Sequence, residues 1–156
     1  MSRTLLKAMV LLALAASPAA ANRLTFEVWP DANPQHAAFC SISLGGGRIT
    51  LIAVQGLGLP DRTLLRWRAS DREETALTAA LQAFLSGTLD SVETYHARLP
   101  PPPFVTVGWM ASFNGTMTTG LYIQRGLPLP QPLADLVGAL GLEQACKLSA
   151  TSGGPP

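Results

Sequence analysis

Proton-transfer chemistry in this 156-residue chain would have to run through two imidazoles, His36 and His96. Asp90 and Glu93 precede His96 at intervals of three. On a helix that spacing would stack a carboxylate beside the ring and make a general base for a small hydrolase. Thr94-Tyr95 and the following Pro100 instead favour a strand, on which the three side chains fall on different faces. A serine hydrolase also needs a nucleophile, and no G-x-S-x-G elbow is present. A small secreted hydrolase using His96 with Asp90 or Glu93 is therefore the rival reading and not the leading one. A zinc site wants three or four ligands in recognisable spacing. Two separated histidines and scattered acids do not supply one, so no metal site and no cofactor are expected. The run Gly45-Gly46-Gly47 could cradle phosphate only if a helix followed, and a strand pattern follows. Asn114-Gly115-Thr116 matches a glycosylation sequon, and Asn114-Gly115 reads first as a turn. Pro100 to Pro103 form a stiff crossing between strands, although some domains bind such rods.

Arginine carries the remaining chemistry. Arg62, Arg66 and Arg68 share one face of an alternating segment, and Arg72 opens the helix that follows. Guanidinium forks suit carboxylates and phosphates, so an acidic envelope protein or an anionic envelope polymer could dock there. Asp61, Asp71, Glu73 and Glu74 lie close in sequence and would weaken that field.

Cys40 and Cys146 are the only thiols. No C-x-x-C motif is present, and an even pair in a small exported domain is most simply a structural disulfide.

The start of the chain supplies the oxidising compartment. Arg3 and Lys7 make a positive leader, Ala8 to Ala16 are apolar, and Ser17-Pro18 is followed by Ala19-Ala20-Ala21. This is the three-part pattern of a cleavable export signal, with cleavage expected after Ala21. The apolar run is shorter than the about 20 residues of a membrane span, and no other segment approaches that length. The leader looks bacterial, which directs the protein to the periplasm or the medium. Once Arg3 and Lys7 are removed, nine cations face ten acids, a net charge of −1. A nucleic-acid binder would be strongly basic, so that class is disfavoured. Residues 22–150 then make one domain, and 151–156 make a disordered tail.

The elements follow from periodicity. Leu24, Phe26 and Val28 alternate with polar residues in a first strand. Strands over 37–44 and 48–55 form a hairpin in which Leu44 faces Ile49, Ile42 faces Leu51 and Cys40 faces Ala53, around a loop from Gly45 to Arg48. A fourth strand covers 62–69. Ser70 and Glu73 form a capping box, and Leu77, Leu81, Phe84 and Leu85 make the stripe of a helix that stops near Gly87. Further strands cover 91–99, 104–113 and 117–125. Apolar matching across the last hairpin pairs Trp109 with Leu121 and Val107 with Ile123, which requires a three-residue loop. A C-terminal helix carries Leu133, Leu136, Val137 and Leu140 inward, bends at Gly141 and leads to Cys146. The expected fold is α+β: an antiparallel sheet of about five to seven strands with both helices on one face. With an export signal and no catalytic set, the leading function is an accessory or binding protein of the bacterial envelope, acting through a surface. A secreted protein inhibitor would look the same from sequence.

Overall fold

The computed structural model describes residues 22–56, 61–87, 101–113, 116–125 and 128–148. The expected leader, the strand over 91–99 and the tail lie outside these residues. The described strands are β1 (Asn22–Trp29), β2 (Ala38–Gly45), β3 (Arg48–Gln55), β4 (Asp61–Arg68), β5 (Phe104–Phe113) and β6 (Thr116–Arg125). They form one sheet in the order β4-β3-β2-β1-β5-β6 with every neighbouring pair antiparallel. The helices are α1 (Asp71–Leu85), α2 (Gln131–Leu140) and α3 (Leu142–Cys146). The α+β expectation is met, with six strands among the described residues.

Alternation decides which face is buried. Leu24, Phe26 and Val28 of β1, Cys40 and Ile42 of β2, and Ile49, Leu51 and Ala53 of β3 point to the helices. The helical layer meets them with Leu77, Leu81 and Phe84 of α1 and with Leu133, Leu136 and Val137 of α2. Leu85 and Leu140, expected in those stripes, are only half-buried. Full burial of a large aliphatic or aromatic side chain is worth about 1.5–3 kcal/mol, and these residues are the main cohesive element.

The β2–β3 register is the expected one, with Leu44 opposite Ile49 and Cys40 opposite Ala53. The loop is tighter than expected because Gly45 and Arg48 also pair. Only Gly46 and Gly47 remain in the turn, with φ of 58° and 66°. Positive φ at both central residues is the requirement of the hairpin turn that matches strand twist, and glycine meets it without steric cost.

The β5–β6 hairpin departs from expectation. Trp109 pairs with Gly120 and Val107 with Tyr122, with Phe113 opposite Thr116, so the loop has two residues and not three. The cause is aromatic. The Trp109 ring extends over Gly120, where a Cβ would lie 1.9 Å from its Cζ2. Phe84 of α1 then stacks on Trp109 at 5.2 Å between centroids and tilts against Tyr122 at 5.6 Å. Matching Leu121 and Ile123 to the inner face would have lost this cluster.

Local devices place α1. Ser70 Oγ accepts from the Glu73 backbone N–H at 3.4 Å, and the Ser70 backbone N–H donates to Glu73 Oε2 at 2.7 Å, closing the capping box. Trp67 of β4 donates its indole N–H to Glu73 Oε1 at 2.9 Å, tying the helix start to the inner side of the sheet. At the other end of the chain, Cys146 bonds Cys40 across 106 positions. The Gln55 amide donates to the carbonyls of Gln144 and Ala145, both at 3.2 Å, so α3 is also held against β3.

Candidate functional site

The described helices pack on one side of the sheet only. Among the described residues α1 rests on β1, β5 and β6, α3 rests on β2 and β3, and α2 packs on α1 and α3. The opposite face carries no described helix. It presents Arg62, Leu64, Arg66 and Arg68 from β4, Arg48, Ile52 and Val54 from β3, and Phe39 from β2. Leu64 is 60% exposed and Phe39 41%.

Pairing organises this face into rows across the strands. Arg62 stands beside Val54, then Phe39 and Glu27. Leu64 stands beside Ile52 and Ser41, Arg66 beside Thr50, Ser43 and Arg23, and Arg68 beside Arg48. Arg125 of β6 projects to the same side, opposite Phe104, which stacks on Trp29 at 5.8 Å. Six arginines and one acid, Glu27, therefore occupy this face among the described residues. Apolar side chains lie between the charges.

Sequence proximity suggested that Asp61, Asp71, Glu73 and Glu74 would neutralise the arginines, and the fold separates them. Asp61 alternates onto the helix side of β4 opposite Gln55, and the other three belong to α1 on that same side. Glu73 is already engaged: the Ser70 backbone N–H, then its hydroxyl and the Trp67 indole, hold the carboxyl below its ordinary pKa. Among the described residues, Arg62, Arg66 and Arg68 form no ion pair. Among the described residues, the net charge near zero thus conceals an asymmetry, with cations on the sheet face at the β3–β4 end and most acids toward the helices. Such a field attracts anionic partners more than the total charge implies.

The structure brings Arg62, Arg66 and Arg68 together as alternation predicts. Arg72 does not join them. It lies across the sheet, at a shallow cleft of about 540 Å³ between α1 and α2 that Ala76, Ala134, Asp135 and Gly138 also line. Sequence reasoning gave Arg48 both to the start of the third strand and to the hairpin loop, and did not count it with the arginine face. The β3–β4 register sets it directly opposite Arg68. Directly opposed like charges destabilise a strand pair, and a carboxylate or phosphate between them would relieve that repulsion.

The hydrolase residues His96, Asp90 and Glu93 lie outside the described residues. The described acid–imidazole contact is a different one. His36 Nδ1 donates to Asp31 Oδ2 at 2.6 Å in the turn after β1. That bond and the Asn33 backbone N–H hold the Asp31 carboxyl below its ordinary pKa. The second ring nitrogen of His36 faces the Asn33 amide at 3.5 Å. No hydroxyl or thiol contacts that nitrogen among the described residues, so the pair lacks the nucleophile that a hydrolytic triad needs. His36 and Asp31 are about half exposed, and asparagine capping of a short turn (Pro34–His36) accounts for their arrangement. No group of three potential metal ligands occurs among the described residues.

No described helix is long and apolar enough to cross a membrane. The cysteines are fully buried in a disulfide with Cα atoms 5.8 Å apart. The chain matches no protein-family model, and comparison with curated proteins and with solved structures returns no match, so the cationic sheet face is read from its chemistry alone.

Proposed function

We propose that this chain is an exported accessory or binding protein of the bacterial envelope that works through the helix-free face of its sheet and not through a catalytic centre. The observation carrying the reading is the segregation of charge: Arg62, Arg66 and Arg68, with no ion pair among the described residues, interleaved with exposed Leu64 and Phe39, on the face that the described helices leave open. Arginine and aromatic residues such as phenylalanine are enriched at protein interfaces. Export is supported by the leader pattern and by a buried disulfide, which persists in oxidising compartments. The partner is an acidic envelope protein or an anionic envelope polymer.

The test is a cross-linking pull-down from the native envelope fraction with the oxidised protein as bait, read by mass spectrometry. One dominant partner, lost from the Arg66→Glu/Arg68→Glu double variant, is expected. Capture that is unchanged by the double variant would remove this face from the account.

A further inference from the structure

β4 is an edge of the sheet among the described residues, and it is an unusual edge. It pairs with β3 one-to-one from Asp61 to Arg68, with no bulge, so its other side offers a regular row of backbone donors and acceptors. Protected edges are short, bulged, charged, proline-containing or covered, and of these devices β4 shows only charge. This one is eight residues long and exposed at every position except Trp67. The helical layer does not extend over it, which leaves Leu65 on the inner side 49% exposed, while Leu64 on the outer side is 60% exposed. Two adjacent leucines thus flank the edge from both faces.

We infer that β4 receives an extended acidic peptide segment by strand addition, a deeper form of the reading above that rests on the same arginine face. Backbone pairing would supply affinity and alternate side chains specificity. In an antiparallel complex the guest strand would place carboxylates opposite Arg62, Arg66 and Arg68, and a small apolar residue opposite Leu64. Opposite charges directly across a strand pair attract, and like charges repel. The same rule disfavours the two most extended pairings with a second copy of this chain. A two-fold antiparallel β4–β4 pair centred on Leu64 sets Arg62 against Arg66, and one centred on Leu65 sets Arg62 against Arg68. The arginines therefore act as a selector: they disfavour extended self-pairing and accept an acidic strand.

The experiment uses the oxidised protein and an eight-residue probe peptide, with Glu opposite Arg62, Arg66 and Arg68 and Val opposite Leu64 and Leu65. A second probe has the same sequence with alternate backbone nitrogens methylated, which removes its ladder donors and keeps its charges. Polyphosphate is the non-peptide polyanion. Binding is read by NMR titration and by hydrogen exchange of β4 amides. The expected result is binding of the first peptide, slowed exchange at alternate β4 amides, and at least about tenfold weaker binding of the methylated peptide, since each lost hydrogen bond weakens a complex severalfold or more. Arg66→Glu/Arg68→Glu should abolish it, with circular dichroism confirming that the variant is folded. Equal binding of both peptides, or of polyphosphate with no effect on β4 exchange, would overturn strand addition and leave the cationic face as a polyanion site. Binding of neither peptide and no polyphosphate would overturn both readings. A dimer joined through β4 in sedimentation would show that the arginines do not select against self-pairing and would overturn the proposal.

Discussion

Gly120→Ala should damage this protein far more than loss of a glycine from a strand ordinarily would. A Cβ on residue 120 would lie 1.9, 2.0 and 2.5 Å from Cζ2, Cη2 and Cε2 of Trp109. The indole cannot step aside freely, because Phe84 stacks on it at 5.2 Å. Its N–H has no hydrogen-bond partner among the described residues, so packing alone positions the ring. Overpacking of this kind costs about 1–3 kcal/mol, and losing the aromatic pair adds about 0.5–1.5 kcal/mol. Replacing glycine by alanine returns about 0.4–1 kcal/mol through the unfolded chain. The net expectation is destabilisation by about 1–3 kcal/mol, read as a lower urea midpoint at unchanged slope. The decisive comparison is the same substitution in a Trp109→Ala background, where no ring is left to clash. There Gly120→Ala should be neutral or mildly stabilising, for a coupling energy of about 2 kcal/mol, as expected for residues in contact. Equal effects in both backgrounds would refute the pairing of Trp109 with Gly120, and with it the two-residue loop between β5 and β6.

Three further outcomes follow from other parts of the fold. Cys40→Ser should destabilise by up to about 4–5 kcal/mol in the chain-entropy account of a 106-residue separation and leave a titratable thiol at Cys146; an unchanged melting curve would contradict it. Glu73 has a lowered pKa in the folded state, so its contribution is complete above its ordinary value of 4.5 and is lost as pH falls through the folded value. Glu73→Gln should accordingly flatten the stability profile in that acidic window, which chemical denaturation at a series of pH values would reveal. Gly138→Ala, at an exposed α2 position with no atom within 4 Å of the new Cβ, should stabilise by about 0.5–1 kcal/mol, and a lowered melting temperature would contradict it.

The contrast between the two hairpins shows which information is local. In β2–β3, Cys40, Ile42 and Leu44 share one face of β2 while Ser41 and Ser43 mark the other, so matching Ile42 with Leu51 and Cys40 with Ala53 leaves one register. In β6, Leu121 and Ile123 lie on one face and Tyr122 on the other, so apolar matching points the wrong way. What settles that register is volume. Trp109 needs an opposite position without a side chain, and only the packed cluster with Phe84 and Tyr122 reveals the need. The candidate site divides similarly. Alternation alone groups Arg62, Arg66 and Arg68. Their freedom from Asp61, Asp71, Glu73 and Glu74 depends on which side of the sheet the helices take, and the exposure of Leu64 and Leu65 depends on how far the helices reach. Both are tertiary facts with no local signature.

The disulfide also changes what a protease can do to this molecule. The sheet has two chain-contiguous parts, the meander β1 to β4 and the hairpin β5–β6, which meet along β1 and β5. Cys40 belongs to the first part and Cys146 follows the second. A single cut anywhere between those positions opens the backbone yet leaves one covalent molecule. A cut between β4 and β5 would produce two fragments still joined by the sulfur bridge and zipped along the seam from Arg23 opposite Met110 to Trp29 opposite Phe104. On a gel such a nicked form migrates as one species until reductant is added, and in a protease-rich setting it survives the first cleavage with its cationic face in one piece.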